Sequence, residues 1–352
     1  MSPNSDPDAL CRQLLGQRTP EHVQARKAAQ EAKAPATRTS WTVDELLATE
    51  FSDPTWIVPG ILPAGLASLA GRPKLGKSWL ALQLAIAVGS GGRFLDIAME
   101  RGFVLYLALE DSPRRLKKRL EMLRARPDIS LRFETDWLPL DGEAGGLEDL
   151  QRVAARDKPR LIIIDTLARS FTSHVDWNDL GRTTGAMAAL QDLALNRDLC
   201  ILCVDHHRKV GPTAADVIDD IVGSTGKSAV VDTAWGLYRK RGERGATLRI
   251  AGRDVDEQEL ALEFDSLTGC WQLLGDAREV ASRSAQEEIL GILQSLREAD
   301  ASLVAKEAGL ARPTARKHLE RLCDQGLAER RQTILAGKVR VLYAAKSPPT
   351  AR

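Results

Sequence analysis

Short apolar runs alternate with stretches of helical spacing from about residue 65 to about residue 275. The strand-like runs are GLASLAG, FVLYLAL, LIIIDT, CILCVDHH and AWGLYRK. Between the first four lie helical patterns near residues 77–89, 113–126, 146–157 and 178–197. Strands that are buried on both faces are apolar throughout, so this alternation predicts βαβ units around a mostly parallel sheet. The expected fold class is α/β.

The apolar pattern changes after the last of these runs. TLRIAGR, ELALEFD and GCWQLLG follow one another with only turns between them. Strands joined by short turns pair in antiparallel fashion, so these three segments predict antiparallel strands at the edge of the sheet.

From Ser284 onward the pattern is that of a second, smaller domain. AQEEILGILQSL has helical spacing, SLVAKEAGL ends at a glycine, and RPTARKHLERLCDQGL has proline near its start and glycine at its end. Two strand-like segments, AERRQTIL and KVRVLYAA, follow and are joined across Ala336 and Gly337. Three helices and a hairpin predict a winged helix-turn-helix domain at residues 284–346.

Few large apolar residues occur in residues 1–40, so this segment is expected to be a disordered or partly helical arm. SWTVDELLATEF then predicts a short helix with Thr42 as N-cap and Glu45 three residues later. The main domain is therefore expected to span residues 41–275.

The net charge indicates neither a nucleic-acid partner nor an acidic one, because 49 Lys and Arg balance 48 Asp and Glu. There is no apolar run of about 18 residues and no basic-then-apolar leader, so a cytoplasmic protein without a membrane partner is expected. The five cysteines are scattered, which favours reduced thiols over a disulfide framework.

The segment GRPKLGKS fits the G-x-x-x-x-G-K-[ST] pattern between a predicted strand and a predicted helix. Gly71 and Gly76 would let backbone N–H groups surround a phosphate at a helix N-terminus. Lys77 would reach the β- and γ-phosphates, and Ser78 would bind Mg²⁺. The cofactors predicted are ATP and Mg²⁺. The predicted nucleotide-binding residues are Gly71, Arg72, Pro73, Lys74, Leu75, Gly76, Lys77, Ser78 and Trp79.

Two carboxylates end predicted strands near this loop. Asp165 closes LIIID and is expected to ligate Mg²⁺ together with Ser78, although a helix N-cap also fits its position. Glu110 closes FVLYLALE and is the expected base for the attacking water, because the carboxyl ends of parallel strands open onto one crevice. Asp111 is a weaker candidate, since DSP begins a helix and either Asp111 or Ser112 can cap it.

The strand CILCVDHH ends in Asp205, His206 and His207, and one histidine could sense the γ-phosphate. Cys200 and Cys203 also form C-x-x-C beside the two histidines, a spacing that suggests zinc. Residues three apart in a strand point to opposite faces, so core packing is the better interpretation of the cysteines.

These motifs together resemble the RecA-like ATPases. VLYLALEDSPRRLKKRL, LIIIDTLARSF and CVDHHRK are most similar to the branch that contains the plasmid RepA hexameric replicative helicase and its phage and mobile-element relatives. The resemblance covers roughly residues 55–275. It implies that Lys77 and Ser78 bind phosphate and Mg²⁺, Glu110 is the base, Asp165 a Mg²⁺ ligand and His207 a sensor.

In that family the nucleotide lies between subunits and a neighbour's arginine completes the site. This sequence departs from the family there, because Trp235 occupies the expected place in VVDTAWGLYRKRGERG. Arg239 and Arg241 follow, and their spacing puts both on one face of a strand. They are assigned the role in trans, with an exposed basic strand end as the alternative.

Two sets of basic residues are expected to contact DNA. In a ring, the loops after Asp165 and His207 would line a pore for single-stranded DNA, although the second loop also carries three aspartates. Residues 312–352 hold ten basic and three acidic residues, which favours duplex DNA over protein contacts at the winged helix. The predicted DNA-binding residues are Arg169, Lys209, Lys227, Arg312, Arg316 and Lys317.

The sequence therefore predicts a homo-oligomeric, hexameric, ATP-hydrolysing DNA motor that works with replication partners on a plasmid, phage or mobile element. The alternative is an ATP-switched DNA-binding regulator without unwinding activity.

Overall fold

The computed structural model describes residues 40–51, 53–141, 144–171, 180–206, 230–239, 244–335 and 338–346. The chain divides into two compact units, residues 1–53 and 54–352. In the first unit, helix α1 (Val43–Ala48) begins after Thr42. The Thr42 hydroxyl accepts a hydrogen bond from the Glu45 N–H, and the Glu45 carboxylate accepts one from the Thr42 N–H. This is the predicted capping box. The predicted arm lies outside the described residues, apart from Ser40.

The second unit is built on a nine-stranded sheet. Two short hairpins of this unit lie outside that sheet. One pairs β1 (Trp56–Val58) with β2 (Leu62–Pro63), and the other pairs β4 (Arg93–Phe94) with β5 (Ile97–Ala98). The strands of the large sheet are β3 (Gly65–Gly71), β6 (Val104–Ala108), β7 (Leu131–Glu134), β8 (Leu161–Asp165), β9 (Cys200–His206), β10 (Thr233–Tyr238), β11 (Gly245–Gly252), β12 (Gln258–Asp265) and β13 (Cys270–Asp276).

The strand order is β13-β12-β11-β10-β3-β9-β8-β6-β7. All neighbours from β10 to β7 are parallel, whereas β11, β12 and β13 are added in antiparallel fashion. The predicted α/β fold, with a mostly parallel sheet and antiparallel edge strands, is confirmed.

Helices cover both faces of the sheet. They are α2 (Lys77–Ser90), α3 (Pro113–Met122), α4 (Gly146–Asp157) and α5 (Leu180–Arg197), with a single 3₁₀ turn at Leu167–Arg169. Helices α2 and α3 share one apolar cluster with one face of the central strands, and α4 and α5 share a second cluster with the other face. Ile162 and Ile163 of β8 lie in different clusters, as expected when successive side chains of a strand point to opposite faces.

The sequence pattern does not predict strand β7. Its four residues, Leu131–Glu134, alternate apolar and charged side chains, and all four are only half-buried. The strand lies at the edge of the sheet and pairs only with β6, so it lacks the continuous apolar run of a central parallel strand.

The part of the second unit from residue 277 onward has an apolar cluster of its own. Its elements are α6 (Ala277–Leu296), β14 (Ala299–Asp300), α7 (Ala301–Glu307), α8 (Arg312–Asp324), β15 (Ala328–Leu335) and β16 (Lys338–Ala345). The strands form a sheet in the order β14-β16-β15, and the cluster lies between this sheet and the three helices. The three helices and hairpin occur in the order that the sequence pattern predicts, and the assignment as a winged helix remains a prediction.

Helix α6 starts directly after β13, because the Asp276 carboxylate accepts hydrogen bonds from the N–H groups of Arg278 and Glu279. Residues 277–283, which the predicted boundaries leave between two domains, are therefore helical. Among the described residues, none of the helices combines the length and the apolar character that crossing a membrane requires.

Candidate functional site

The carboxyl ends of four neighbouring strands bring the predicted residues to one edge of the sheet. Strands β3, β9, β8 and β6 are adjacent and parallel. The glycine-rich loop follows β3, Asp205 lies near the end of β9, Asp165 ends β8, and Glu110 follows β6 by two residues. In open α/β sheets this edge is where ligands bind.

The loop between β3 and α2 needs glycine at two positions for steric reasons. A Cβ atom at Gly71 would lie 2.9 Å from the carbonyl oxygen of Leu237 on β10. Gly76 has φ of +102°, and a Cβ atom there would lie 2.8 Å from the indole of Trp271. The loop is therefore held against β10 on one side and β13 on the other.

The Lys77 side chain folds back over this loop. Its Nζ donates hydrogen bonds to the carbonyl oxygens of Gly71 at 2.7 Å and Arg72 at 3.1 Å, and only 5% of the residue is exposed. Burial lowers the pKa of Lys77 to about 8, and the negative charges of Asp165, Asp205 and Glu110 partly oppose that effect. The amine lies where a phosphate bound by the loop would meet it.

Asp165 is 4% exposed, and its Oδ2 accepts a hydrogen bond from the Tyr106 hydroxyl at 2.7 Å. Burial and the negative charge of Asp165 raise the pKa of Tyr106 well above its usual value, so the phenol stays protonated and donates. Burial also raises the pKa of Asp165, whereas the nearby hydroxyls of Tyr106 and Ser78 lower it. No sequence pattern points to Tyr106, since its partner lies on the neighbouring strand.

The residues around Asp165 fit a magnesium ion. Its Oδ1 is buried and has no hydrogen-bond partner among the described residues, so one carboxylate oxygen is available as a ligand, and the Ser78 hydroxyl lies close to the same carboxylate. The part of the chain that the structure describes contains no group of three His, Cys, Asp or Glu that could hold a metal by itself. Such a site suits Mg²⁺, which takes one or two protein ligands and completes its shell with phosphate oxygens and water.

The alternative role of Asp165 as an N-cap does not fit the geometry. Asp165 is the last residue of β8, and the 3₁₀ turn begins only at Leu167, after Thr166. The peptide bond between Asp165 and Thr166 is cis.

Glu110 is exposed, and Thr166 fixes its carboxylate. The Thr166 hydroxyl donates to Oε1 of Glu110 at 2.9 Å, and Nε of Arg169 lies 4.0 Å from the same oxygen. The neighbouring Asp111 is instead ion-paired with Arg115 at 2.9 Å and with Arg119 of helix α3. The cap of α3 is Ser112, and the two ion pairs of Asp111 give that residue a structural role.

Trp271 of β13 supports the loop from the side away from the parallel strands. Its Nε1 donates to the Gly76 carbonyl oxygen at 3.1 Å, and the Gln83 side chain bonds to both the N–H and the carbonyl of Trp271. Trp271 packs against Phe264, and the Arg239 guanidinium lies over both rings at 5.2 and 5.6 Å. The sequence pattern identifies GCWQLLG only as a strand, so this contact with the loop is not predicted.

The structure also shows where Trp235 and the two cysteines of the C-x-x-C segment lie. Trp235 is fully buried, where its Nε1 donates to the Ile61 carbonyl and its ring stacks on Phe94. Cys200 and Cys203 lie in different apolar clusters, so the interpretation as core residues is confirmed.

Arg312, Arg316 and Lys317 are exposed on α8, and Arg316 is paired with Glu320. Further predicted residues lie outside the described residues, namely His207, Lys209, Lys227 and Arg241.

Residues 29–212 match the protein family described as AAA domain, which is just over half of the 352-residue chain. The matched segment contains the loop, Glu110 and Asp165. The chain is also 28% identical over 193 residues to DNA repair protein RadA of Streptococcus pneumoniae (strain ATCC BAA-255 / R6). That match covers 54% of this chain and 39% of RadA, so the chain spans about two fifths of the length of this curated relative.

Two solved structures are similar in fold. A DnaB-like replicative helicase, solved in a study of its interactions with primase, has a TM-score of 0.51 and 15% identity, with 71% of each chain covered. The second, an isolated ATPase domain, has a TM-score of 0.48 and 16% identity, with 60% of this chain and 85% of that chain covered. At such low identity the similarity to the DnaB-like helicase concerns the fold alone, and it confirms the predicted RecA-like P-loop core.

Proposed function

Because the chain belongs to the AAA domain family, we propose that it is an ATP-hydrolysing DNA motor of the replicative helicase type. The observation that carries the proposal is the site at the carboxyl edge of the sheet. There, the buried Asp165 has an unpartnered Oδ1 beside Ser78, and Lys77 and Glu110 complete the set that phosphoryl transfer to water requires.

Each residue has a defined role in that reaction. Backbone N–H groups of the Gly71–Ser78 loop bind the phosphates, and the Lys77 amine pairs with the β- and γ-phosphate oxygens. Ser78 and Asp165 would hold Mg²⁺, which neutralises charge on those oxygens when bound. Glu110, oriented by Thr166, accepts a proton from the attacking water as its oxygen bonds to the γ-phosphorus and the bond to the β-phosphate oxygen breaks.

We propose that DNA is the polymer along which this motor moves. The names of two similar proteins support this, since one is a DNA repair protein and the other a replicative helicase. Arg169 would contact phosphates of single-stranded DNA, as would Lys209 and Lys227 in the following loop. Because Arg169 lies 4.0 Å from Glu110, the DNA would then lie close to the catalytic edge. His207 would sense the γ-phosphate, and Arg312, Arg316 and Lys317 would contact duplex DNA.

We place this activity in a homohexameric ring that serves replication of a plasmid, phage or mobile element. The nucleotide would lie between subunits, with Arg239 or Arg241 of a neighbour completing the site.

Strand displacement tests the proposal directly. Purified protein should hydrolyse ATP faster with single-stranded DNA, should separate a forked duplex when ATP is present, and should show a larger native mass with ATP and DNA. Lys77→Ala, which loses the phosphate contact, is the matched inactive control. ATP-dependent DNA binding by a monomer that separates no strands would instead identify an ATP-switched regulator.

A further inference from the structure

Helices α6 and α8 line an open groove of about 480 Å³, far along the sequence from the loop and its carboxylates. Its lining includes Arg278 and Ser282 from α6 and Thr314, Lys317, His318 and Arg321 from α8. A wider groove of about 780 Å³ continues along α6, and there Arg278, Lys317 and Arg321 are joined by Glu279 and Glu287. The lining of the first groove contains three cationic side chains and no carboxylate.

The cations of this groove are not neutralised by neighbouring carboxylates. Arg278, Lys317 and Arg321 form no ion pair with any described carboxylate, and Arg321 donates only to the Ser282 hydroxyl, at 3.0 Å. Three other arginines between residues 312 and 345 are instead paired with carboxylates. These pairs are Arg316 with Glu320, Arg331 with Glu298, and Arg340 with Asp300. The lining of the first groove therefore carries three cations that no described carboxylate pairs with.

The floor of the groove contains a polar group without a partner. His318 is 8% exposed, and its Nδ1 is buried with no hydrogen-bond partner among the described residues. Burial lowers the pKa of His318, and the positive charges of Arg321 and Lys317 lower it further. A buried polar atom without a partner is rare in folded proteins and is satisfied when a ligand or water reaches it.

We propose that this groove binds backbone phosphates of duplex DNA, through Arg278, Lys317 and Arg321. No Phe, Tyr or Trp lines it, so it lacks the stacking surface that single-stranded bases require. Three cations along two fixed helices instead suit the regularly spaced phosphates of a duplex.

The proposed site shares Lys317 with the residues that the sequence pattern selects, but it lies on a different flank of α8 from Arg312 and Arg316. Positions 317 and 321 are one turn apart and flank the buried face on the α6 side. Arg312 and Arg316 lie on the opposite flank, where Glu320 already pairs with Arg316. The groove therefore adds a contact to the proposed function, and it rests on that function only in taking DNA as the ligand.

The salt dependence of binding by the full chain tests the groove. Fluorescence anisotropy with a labelled duplex and no ATP would compare the triple variant Arg278→Ala, Lys317→Ala, Arg321→Ala with the original protein. The triple variant should bind roughly tenfold more weakly or worse, and the slope of log affinity against log salt should fall by about two to three, since each phosphate contact contributes about 0.9.

Single variants supply the matched control. Lys317→Ala should lower the slope by about one, whereas Lys306→Ala, which removes an exposed lysine of α7, should not change it. Lys317→Arg should restore the slope, and if it does not, the residue acts through packing and the proposal fails. An unchanged slope in the triple variant also overturns it, as would displacement of the duplex by pyrophosphate at low concentration, which indicates a small phosphate ligand.

Hydrolysis separates this inference from the proposed function. In the triple variant, stimulation of ATP hydrolysis by single-stranded DNA should persist, because the groove is distinct from the catalytic edge. A protein that hydrolyses no ATP but retains the groove-dependent salt slope would refute the motor and leave the groove intact.

Discussion

The amine of Lys77 lies under the loop that it serves, at 5% exposure, and donates to two carbonyl oxygens of that loop. Desolvation disfavours its charged form more than three nearby carboxylates favour it, and the resulting pKa is about 8 rather than 10.5. A phosphate that enters the loop adds negative charge beside this amine and must raise its pKa again. Nucleotide binding and protonation of Lys77 are therefore coupled.

This coupling predicts the pH dependence of ATP affinity. Below pH 8 the amine is already charged in the free protein, so affinity should be constant there. Above pH 8 binding must take up a proton, so affinity should fall with rising pH, by at most about tenfold per unit. Titration of ATP binding between pH 7 and pH 10 measures this. Lys77→Arg stays charged throughout, so its affinity should not vary over the range, and a parallel decline in that variant would refute the assignment.

A second prediction at the level of single residues concerns the role of the Glu110 carboxylate as the base in ATP hydrolysis. Glu110→Gln retains the acceptor for the Thr166 hydroxyl but cannot accept a proton, so turnover should fall about a hundredfold or more while ATP affinity changes little. Single-turnover hydrolysis and equilibrium binding separate the two effects. Asp111→Asn is the matched control, because Asp111 is engaged by Arg115 and Arg119, and it should retain most of the turnover. Turnover of Glu110→Gln within a few-fold of the original protein would exclude Glu110 as the base.

Residue spacing predicts which side chains lie at the site but not how each is held. Lys77, Asp165 and Glu110 could be selected because each follows a strand-like run, and the carboxyl ends of parallel strands share one edge. Tyr106 and Thr166 could not, since their partners lie on other strands and depend on strand order.

At the level of elements, strand β13 contributes more than an edge to the sheet. It places Trp271 against Gly76, and Gln83 of α2 binds the backbone of the same tryptophan through two hydrogen bonds. The first turn of α2 and the loop before it are therefore fixed to the antiparallel part of the sheet. Apolar periodicity predicts that β13 exists, but the contact arises only because β12 and β13 fold back over α2, which no local pattern encodes.

Trp271→Phe tests this support. An aromatic ring is retained, but the indole N–H and its hydrogen bond to the Gly76 carbonyl are lost, while the Leu80 N–H still donates to that oxygen. Because Trp271 is buried and phenyl is smaller than indole, the free energy of unfolding should fall by more than the contribution of a single hydrogen bond, about 1 kcal/mol. ATP affinity should fall as well, because the loop becomes less well ordered. Trp137→Phe is a matched control, since Trp137 Nε1 also donates to a glycine carbonyl, that of Gly146, away from the loop. Equal losses of ATP affinity in both variants would contradict a specific role for Trp271.

At the level of the whole molecule, β13 runs into α6 without a linker, and the elements from α6 onward have a separate apolar cluster. Every buried member of that cluster lies beyond residue 284, and no buried member of the two sheet clusters does. A change of pattern near Ser284 indicates where the second core begins. It does not indicate that the helix starts earlier, because Asp276 caps it from within β13.

Deletion of residues 284–352 should therefore leave a folded ATPase. The two sheet clusters remain complete, so cooperative thermal unfolding and ATP hydrolysis should persist, while duplex binding weakens and its salt slope falls. Calorimetry, hydrolysis and anisotropy measure the three quantities. A deletion protein that unfolds without a cooperative transition would show that α6 and the elements after it are needed for the sheet, whereas unchanged duplex affinity would assign those elements to protein contacts.

The predicted action of an arginine on the neighbouring subunit's site can be tested only in the assembled protein. Within one chain, Arg239 stacks on Phe264 and Trp271, and Leu237, two residues earlier, pairs with Gly71 of the loop. Arg239 could therefore act on the loop of its own subunit, which is the alternative to action in trans. In either case Arg239→Ala, or Arg241→Ala, should bind ATP and lose hydrolysis, since such an arginine stabilises charge in the transition state and contributes up to about a thousandfold.

Mixing the arginine variant with Lys77→Ala distinguishes the two cases. An Arg239→Ala subunit keeps an intact loop, and a Lys77→Ala subunit keeps both arginines, so a mixed ring contains interfaces where an intact loop faces an intact arginine. Action in trans predicts that two inactive proteins regain hydrolysis when combined, with a maximum at intermediate ratios. Action within one subunit predicts no recovery at any ratio, because no subunit then carries both groups. Native mass spectrometry of the mixture shows whether mixed rings form. Mixed rings without recovered hydrolysis would remove Arg239 from the role in trans, and the same mixture made with Arg241→Ala decides the role of Arg241.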